Sequence, residues 1–153
     1  MGGKVYINRI QVNGYIDSAA AGSECQPFRI MIVQDKQANA GTPTLAQILN
    51  TTAALQATQA YRNLENTQRF KILYDKKVIM SKDAGSGRTC LNFSKVIRFP
   101  NGMHINYEHG AGGTAGVTSD IKTNNVWIVL IGHHATQANN AQAQFSYRVR
   151  YTD

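Results

Sequence analysis

Cysteine is almost missing from this chain. Cys25 and Cys90 are the only two among 153 residues, too few for a disulfide scaffold and without the CxxC spacing of a zinc or redox module. Long apolar runs are missing too. The longest, Val126-Trp127-Ile128-Val129-Leu130-Ile131, falls far short of a membrane span. The opening Met1-Gly2-Gly3-Lys4 has no apolar stretch resembling a signal peptide, and Tyr6 stands where a myristoylation signal wants Ser or Thr. Charge is sparse: 16 Lys and Arg face nine Asp and Glu, for a net +7, and 24 Asn and Gln supply about as much polarity as all the ions. These absences exclude a secreted mini-protein, a membrane protein and a zinc module. A hydrophobic fraction of 42% is too high for a disordered chain and suits one domain spanning 1–153.

The chemistry of catalysis is missing as well. Of the four histidines, His104, His109, His133 and His134, the adjacent pair at a strand end points to opposite faces and makes a poor chelate. Gly85-Ser86-Gly87-Arg88-Thr89 and Gly112-Gly113-Thr114-Ala115-Gly116 lack phosphate-loop spacing and a following helix. No G-x-S-x-G elbow exists, and the carboxylates form no evident pair. A cupin-type enzyme would need a histidine–carboxylate metal set, which is not there. Asp120, Asn124 and Asn125 have oxygens suited to calcium, but turn chemistry explains them more simply. Cys25 and Cys90 read as small buried or half-buried residues. The expectation is a protein without enzyme activity, metal or cofactor.

What is present is a period of two. Ala143, Phe145, Tyr147, Val149 and Tyr151 alternate with Gln144, Ser146, Arg148, Arg150 and Thr152, the pattern of a half-buried strand with a basic outer row. Phe70, Ile72 and Tyr74 alternate in the same way, as do Met103, Ile105 and Tyr107. Leu91, Phe93, Ile97 and Phe99 share a face that Lys95 interrupts. The runs 28–33 and 126–131 predict strands covered on both faces, and the shifting phase of 4–12 predicts a bulge. Pro100-Asn101-Gly102 predicts a hairpin between 90–99 and 103–108. A short helix is expected at 44–49, capped by Thr42 with Pro43 at its first position. The strands are placed at 4–13, 27–35, 69–81, 90–99, 103–108, 125–133 and 143–152. Seven or eight antiparallel strands with unequal loops predict an all-β, two-sheet sandwich, for which a jelly roll is a standard solution.

Basic charge concentrates at 69–98, where eight cations face only Asp75 and Asp83. A solvated basic edge accounts for this, and so does a surface for polyanions.

Several motifs in order carry a resemblance. The stretch Arg29-Ile30-Met31-Ile32-Val33-Gln34-Asp35-Lys36, with Asn39, Gly41, Pro43 and Ile48-Leu49 after it, is one. Arg69-Phe70-Lys71-Ile72-Leu73 with Asp75-Lys76 is the next. Asn125-Val126-Trp127-Ile128-Val129-Leu130 and the ending Tyr147-Arg148-Val149-Arg150-Tyr151, with Asp153, complete the series. Together, over residues 28 to 153, they resemble the capsid proteins of small circular single-stranded DNA viruses, the geminivirus- and circovirus-like group. The satellite necrosis virus coat proteins are similar in general plan. Ala38 replaces a frequent proline, Gly41 sits one place late, and the usual Arg/Lys-rich arm before the first strand is expected to be absent.

The resemblance implies a single jelly-roll shell domain of about eight strands with a short helix after the second. It implies a virion protein, assembled inside the host cell with the nucleus as one candidate compartment. Many copies would self-assemble into a small T=1 icosahedral shell around a single-stranded DNA or RNA genome, meeting through loops and the 37–68 insertion. A host receptor stays unidentified, and no membrane is expected as a partner. In the jelly-roll order B-I-D-G, Lys4, Arg9, Arg69, Lys71, Arg148 and Arg150 fall on strands of one sheet, and these six are the candidate nucleic-acid-binding residues. The alternative is a soluble jelly-roll module recognising a carbohydrate or a cell-surface receptor.

Overall fold

The computed structural model describes residues 3–19, 25–38, 41–51, 57–83, 87–88, 90–107, 120–133 and 140–152. Alternating and apolar segments become seven strands: β1 (Gly3–Asp17), β2 (Cys25–Asp35), β3 (Phe70–Asp83), β4 (Gly87–Arg88), β5 (Cys90–Tyr107), β6 (Asn125–Gly132) and β7 (Gln142–Thr152). One sheet has the order β5-β1-β7 and the other β4-β3-β2-β6, and these strands pair antiparallel. The result is the expected all-β, jelly-roll-like sandwich. The first and last strands are neighbours in one sheet, and β2 and β6 in the other. Residues 112–116, His109 and His134 lie outside the described residues.

The two sheets bury Ile7, Ile10, Val12, Ile16, Phe93, Ile97, Met103 and Ile105 against Phe28, Ile30, Ile32 and Met80. These come from one phase of each strand, which is why period two predicts them. The other phase of β2 is also buried: Met31 and Val33 pack with Ile48, Leu49, Ala57, Phe70 and Ile131. The connection between β2 and β3 therefore lies over the outside of its sheet. Each such aliphatic residue contributes roughly 1.5–3 kcal/mol relative to exposure. Within this connection α1 (Leu45–Ile48) has Thr44, not Thr42, as its cap, and the Thr44 N–H donates to Gln47 Oε1 at 3.0 Å.

Two ion pairs clamp the connection. Arg29, only 2% exposed, donates to both oxygens of Asp75 at 2.8 and 2.6 Å and to the carbonyls of Ala57 and Ala60 at 3.1 and 2.7 Å. Arg69 donates to both oxygens of buried Asp35 at 2.9 and 2.8 Å and lies over the Phe70 ring. A buried guanidinium is tolerable only with this degree of pairing.

Three expectations need correction. Pro100-Asn101-Gly102 does not close a hairpin. Both flanking segments pair with β1, with Arg98 opposite Arg9 and Met103 opposite Ile7, so β5 is one strand whose residues 99–102 loop out. Gly102, at φ 68°, supplies the left-handed backbone for this. The run 126–131 is not covered like β2, because among the described strands β6 ends its sheet. Only Ile131 of its residues is buried; most of the others are half-buried, and Leu130 is 40% exposed. Cys25 and Cys90 are both exposed, since each begins a strand at the rim.

Among the described strands β7 is likewise an edge. Phe145, Tyr147, Val149 and Tyr151 remain exposed although they follow the core-facing phase of their partners on β1. An apolar recess of about 300 Å³, lined by Ile10, Val12, Trp127, Tyr147 and Val149 among others, separates the edges β6 and β7. Gly14 allows a close approach of β1 to β7: a Cβ there would collide with the Gln144 carbonyl and with Phe145.

Candidate nucleic-acid interface

The solvent face of the β5-β1-β7 sheet gathers most of the candidate cations. Core-facing Ile10, Val12 and Ile16 force Arg9, Gln11, Asn13 and Tyr15 outward. Their cross-strand partners Arg150, Arg148, Ser146 and Gln144 on β7 share that face, as do Arg98, Val96, Ser94 and Asn92 on β5. Before the bulge the phase reverses, so Lys4 and Tyr6 point the same way. Five cations thus stand on one face, with Asp17 at its far end the only carboxylate in the three strands.

Between the cations lies a polar, uncharged surface. The Tyr15 hydroxyl donates to Gln144 Oε1 and the Ser94 hydroxyl to Asn13 Oδ1, each at 2.8 Å, which fixes amides and hydroxyls across all three strands. Tyr6 and Tyr15 are 43% and 39% exposed and offer ring surface beside the charges. A strand of nucleic acid needs cations for phosphates and rings or amides for bases, and this face has all three.

Of the six predicted residues, the structure brings together four: Lys4, Arg9, Arg148 and Arg150. Arg69 and Lys71 do not join them, because β3 pairs with β2 in the opposite sheet. Arg69 is moreover committed to Asp35, whose hydrogen bonds raise its pKa above the ordinary arginine value. Lys71 is exposed on β3, away from the other four. The concentration of basic residues at 69–98 is therefore divided between two sheets. Lys95 turns toward the sandwich, its ammonium 4.9 Å from the Tyr74 ring centre.

Sequence reasoning omitted Arg98 from the candidate set. The signal was available: with Phe93 and Ile97 facing the core, residue 98 has to face out. The calcium suggestion loses its central member, since Asn124 accepts from Gln34 and donates to the His104 carbonyl, each at 2.8 Å, in a left-handed turn. Among the described residues no cluster of three or more His, Cys, Asp or Glu has metal-binding proximity.

The pattern of one protein family, described as satellite tobacco necrosis virus coat protein, matches residues 6–153. No curated protein sequence matches the chain.

Proposed function

The chain belongs to the satellite tobacco necrosis virus coat protein family, and from that premise we propose that its copies close into a small icosahedral shell around a single-stranded genome. It is a viral capsid protein, a structural component of the virion. The match falls on the satellite necrosis virus side of the resemblance and gives no support to the circular single-stranded DNA virus side or to a nuclear stage. The genome-facing surface in this proposal is the outer face of the β5-β1-β7 sheet, with Lys4, Arg9, Arg148 and Arg150 on phosphates. The observation that carries it is the sign of that face, five cations against one peripheral carboxylate.

Identical subunits of net charge +7 repel one another when packed, and a polyanion inside relieves that repulsion. Subunit contacts then fall to the uncharged surfaces: the amide- and alanine-rich connection between β2 and β3, where Tyr61 and Leu64 are exposed, and the apolar edge of β7. Phosphate contacts confer little sequence preference.

The test is nuclease protection. Protein mixed with single-stranded RNA or DNA at low salt and then exposed to nuclease should retain intact fragments that co-sediment with protein. Complete digestion under conditions where particles persist would reject genome enclosure by this chain.

A further inference from the structure

One rung of the basic face differs from the rest. Arg9 stands directly opposite Arg98 on one side and Arg150 on the other, so three guanidinium groups cross the sheet in a single line. Like charges placed opposite one another destabilise a strand pair. Among the described residues neither ion pair, Arg29–Asp75 or Arg69–Asp35, involves these three arginines.

The rung also sits at the break in strand pairing. Asn8 is the extra residue on β1 between Ile7 and Arg9, and 99–102 loop out of β5 beside it. A recess of about 590 Å³ opens there, lined by the three arginines with Asn8, Phe99 and Tyr151 among others. That volume suits a nucleotide-sized ligand. The Arg9 Nε–H is buried and has no hydrogen-bond partner, a costly state for a charged donor until an acceptor arrives.

We propose that Arg9, Arg98 and Arg150 form a discrete seat for one phosphate group of a single-stranded nucleic acid. The identity of the partner rests on the genome-facing assignment of this sheet. The seat itself follows from the arginine rung, the recess and the unsatisfied Nε–H. A tetrahedral oxyanion has enough acceptors to engage three guanidinium groups at once, and charge-assisted bonds of this kind are the strong ones. Such a seat makes the interaction local, with most of the affinity on a few residues. A diffuse basic face would spread it evenly.

The experiment measures fluorescence anisotropy of a labelled single-stranded oligonucleotide at several salt concentrations, using the whole chain. The parent is compared with Arg98→Gln, Arg9→Lys and, on the same face outside the recess, Lys4→Gln. Arg98→Gln and Arg9→Lys should each weaken binding roughly tenfold or more, and Lys4→Gln far less. Without added anion, Arg98→Gln should melt no lower than the parent, because it relieves repulsion. Inorganic phosphate should raise the melting temperature of the parent and not of Arg9→Lys. Equal, small losses in all three variants would overturn the seat while leaving the basic face intact as a genome surface. Stabilisation by phosphate without competition from the oligonucleotide would reassign the seat to free anions. Failure of the parent to bind any oligonucleotide at low salt would remove the genome-facing assignment itself.

Discussion

Replacing Arg29 with methionine should detach the β2–β3 connection from its sheet. The substitution removes four hydrogen bonds, two to Asp75 and one each to the carbonyls of Ala57 and Ala60. The consequences for the partners are unequal. The Asp75 side chain is 31% exposed and can rehydrate, so its loss of a partner costs little. The carbonyls have no such freedom where they are buried, and each unsatisfied group costs about 1–3 kcal/mol. Methionine refills much of the volume of the arginine stem and recovers some packing. The net loss should be about 2–4 kcal/mol, carried mainly by the two carbonyls. Urea unfolding followed by tryptophan fluorescence reads this as a lower midpoint at constant slope. Limited proteolysis should find new cleavage within 41–69. A loss below about 1 kcal/mol, with no new cleavage, would refute the clamp, since the arginine would then be a replaceable filler.

Three further outcomes are expected. Trp127→Ala should cost about 2–3 kcal/mol by thermal or urea unfolding, less than the 3–5 kcal/mol of a fully enclosed aromatic, because the edge strand leaves Trp127 half-buried; a fully core-like loss would mean that the recess between β6 and β7 is closed. Gly14→Ala should destabilise by roughly 1–3 kcal/mol through its collision with β7, and a neutral result would mean that β7 sits farther from β1. Changing Arg148 and Arg150 together to glutamine should reduce the log–log salt slope of single-strand binding by about 0.7 to 1.4, at 0.7 per phosphate contact with Arg150 sharing its phosphate with Arg9 and Arg98, without lowering the melting temperature; unchanged affinity and slope would take these arginines off the genome surface.

Local information carried the strands well and the sheets less well. The alternation from 143 to 151 predicts both the strand and the outward phase of Arg148 and Arg150. The uncertain phase of 4–12 predicts a bulge, which the register places between Ile7 and Arg9. Pro100-Asn101-Gly102 shows the limit. A glycine with positive φ serves a hairpin and a bulge equally, and only the identity of the pairing partner separates them. That partner is β1, some ninety residues away. Arg69 and Lys71 were misgrouped for the same reason: a strand's sequence shows which residues share a face, whereas sheet membership depends on distant pairing. Cross-strand ion pairs such as Arg29–Asp75 and Arg69–Asp35 help to hold β3 beside β2, but within an apolar run an isolated Arg29 gives no sign of its partner. Exposure at β6 and β7 was also hidden, since an apolar run looks alike at a sheet centre and at an edge.

Negative-stain microscopy of the purified protein, with light scattering on the same sample across salt and pH, tests the capsid account most directly. Closed particles of one uniform size are the predicted result. A stable monomer at every salt and pH, with no particles on the grid, would contradict it.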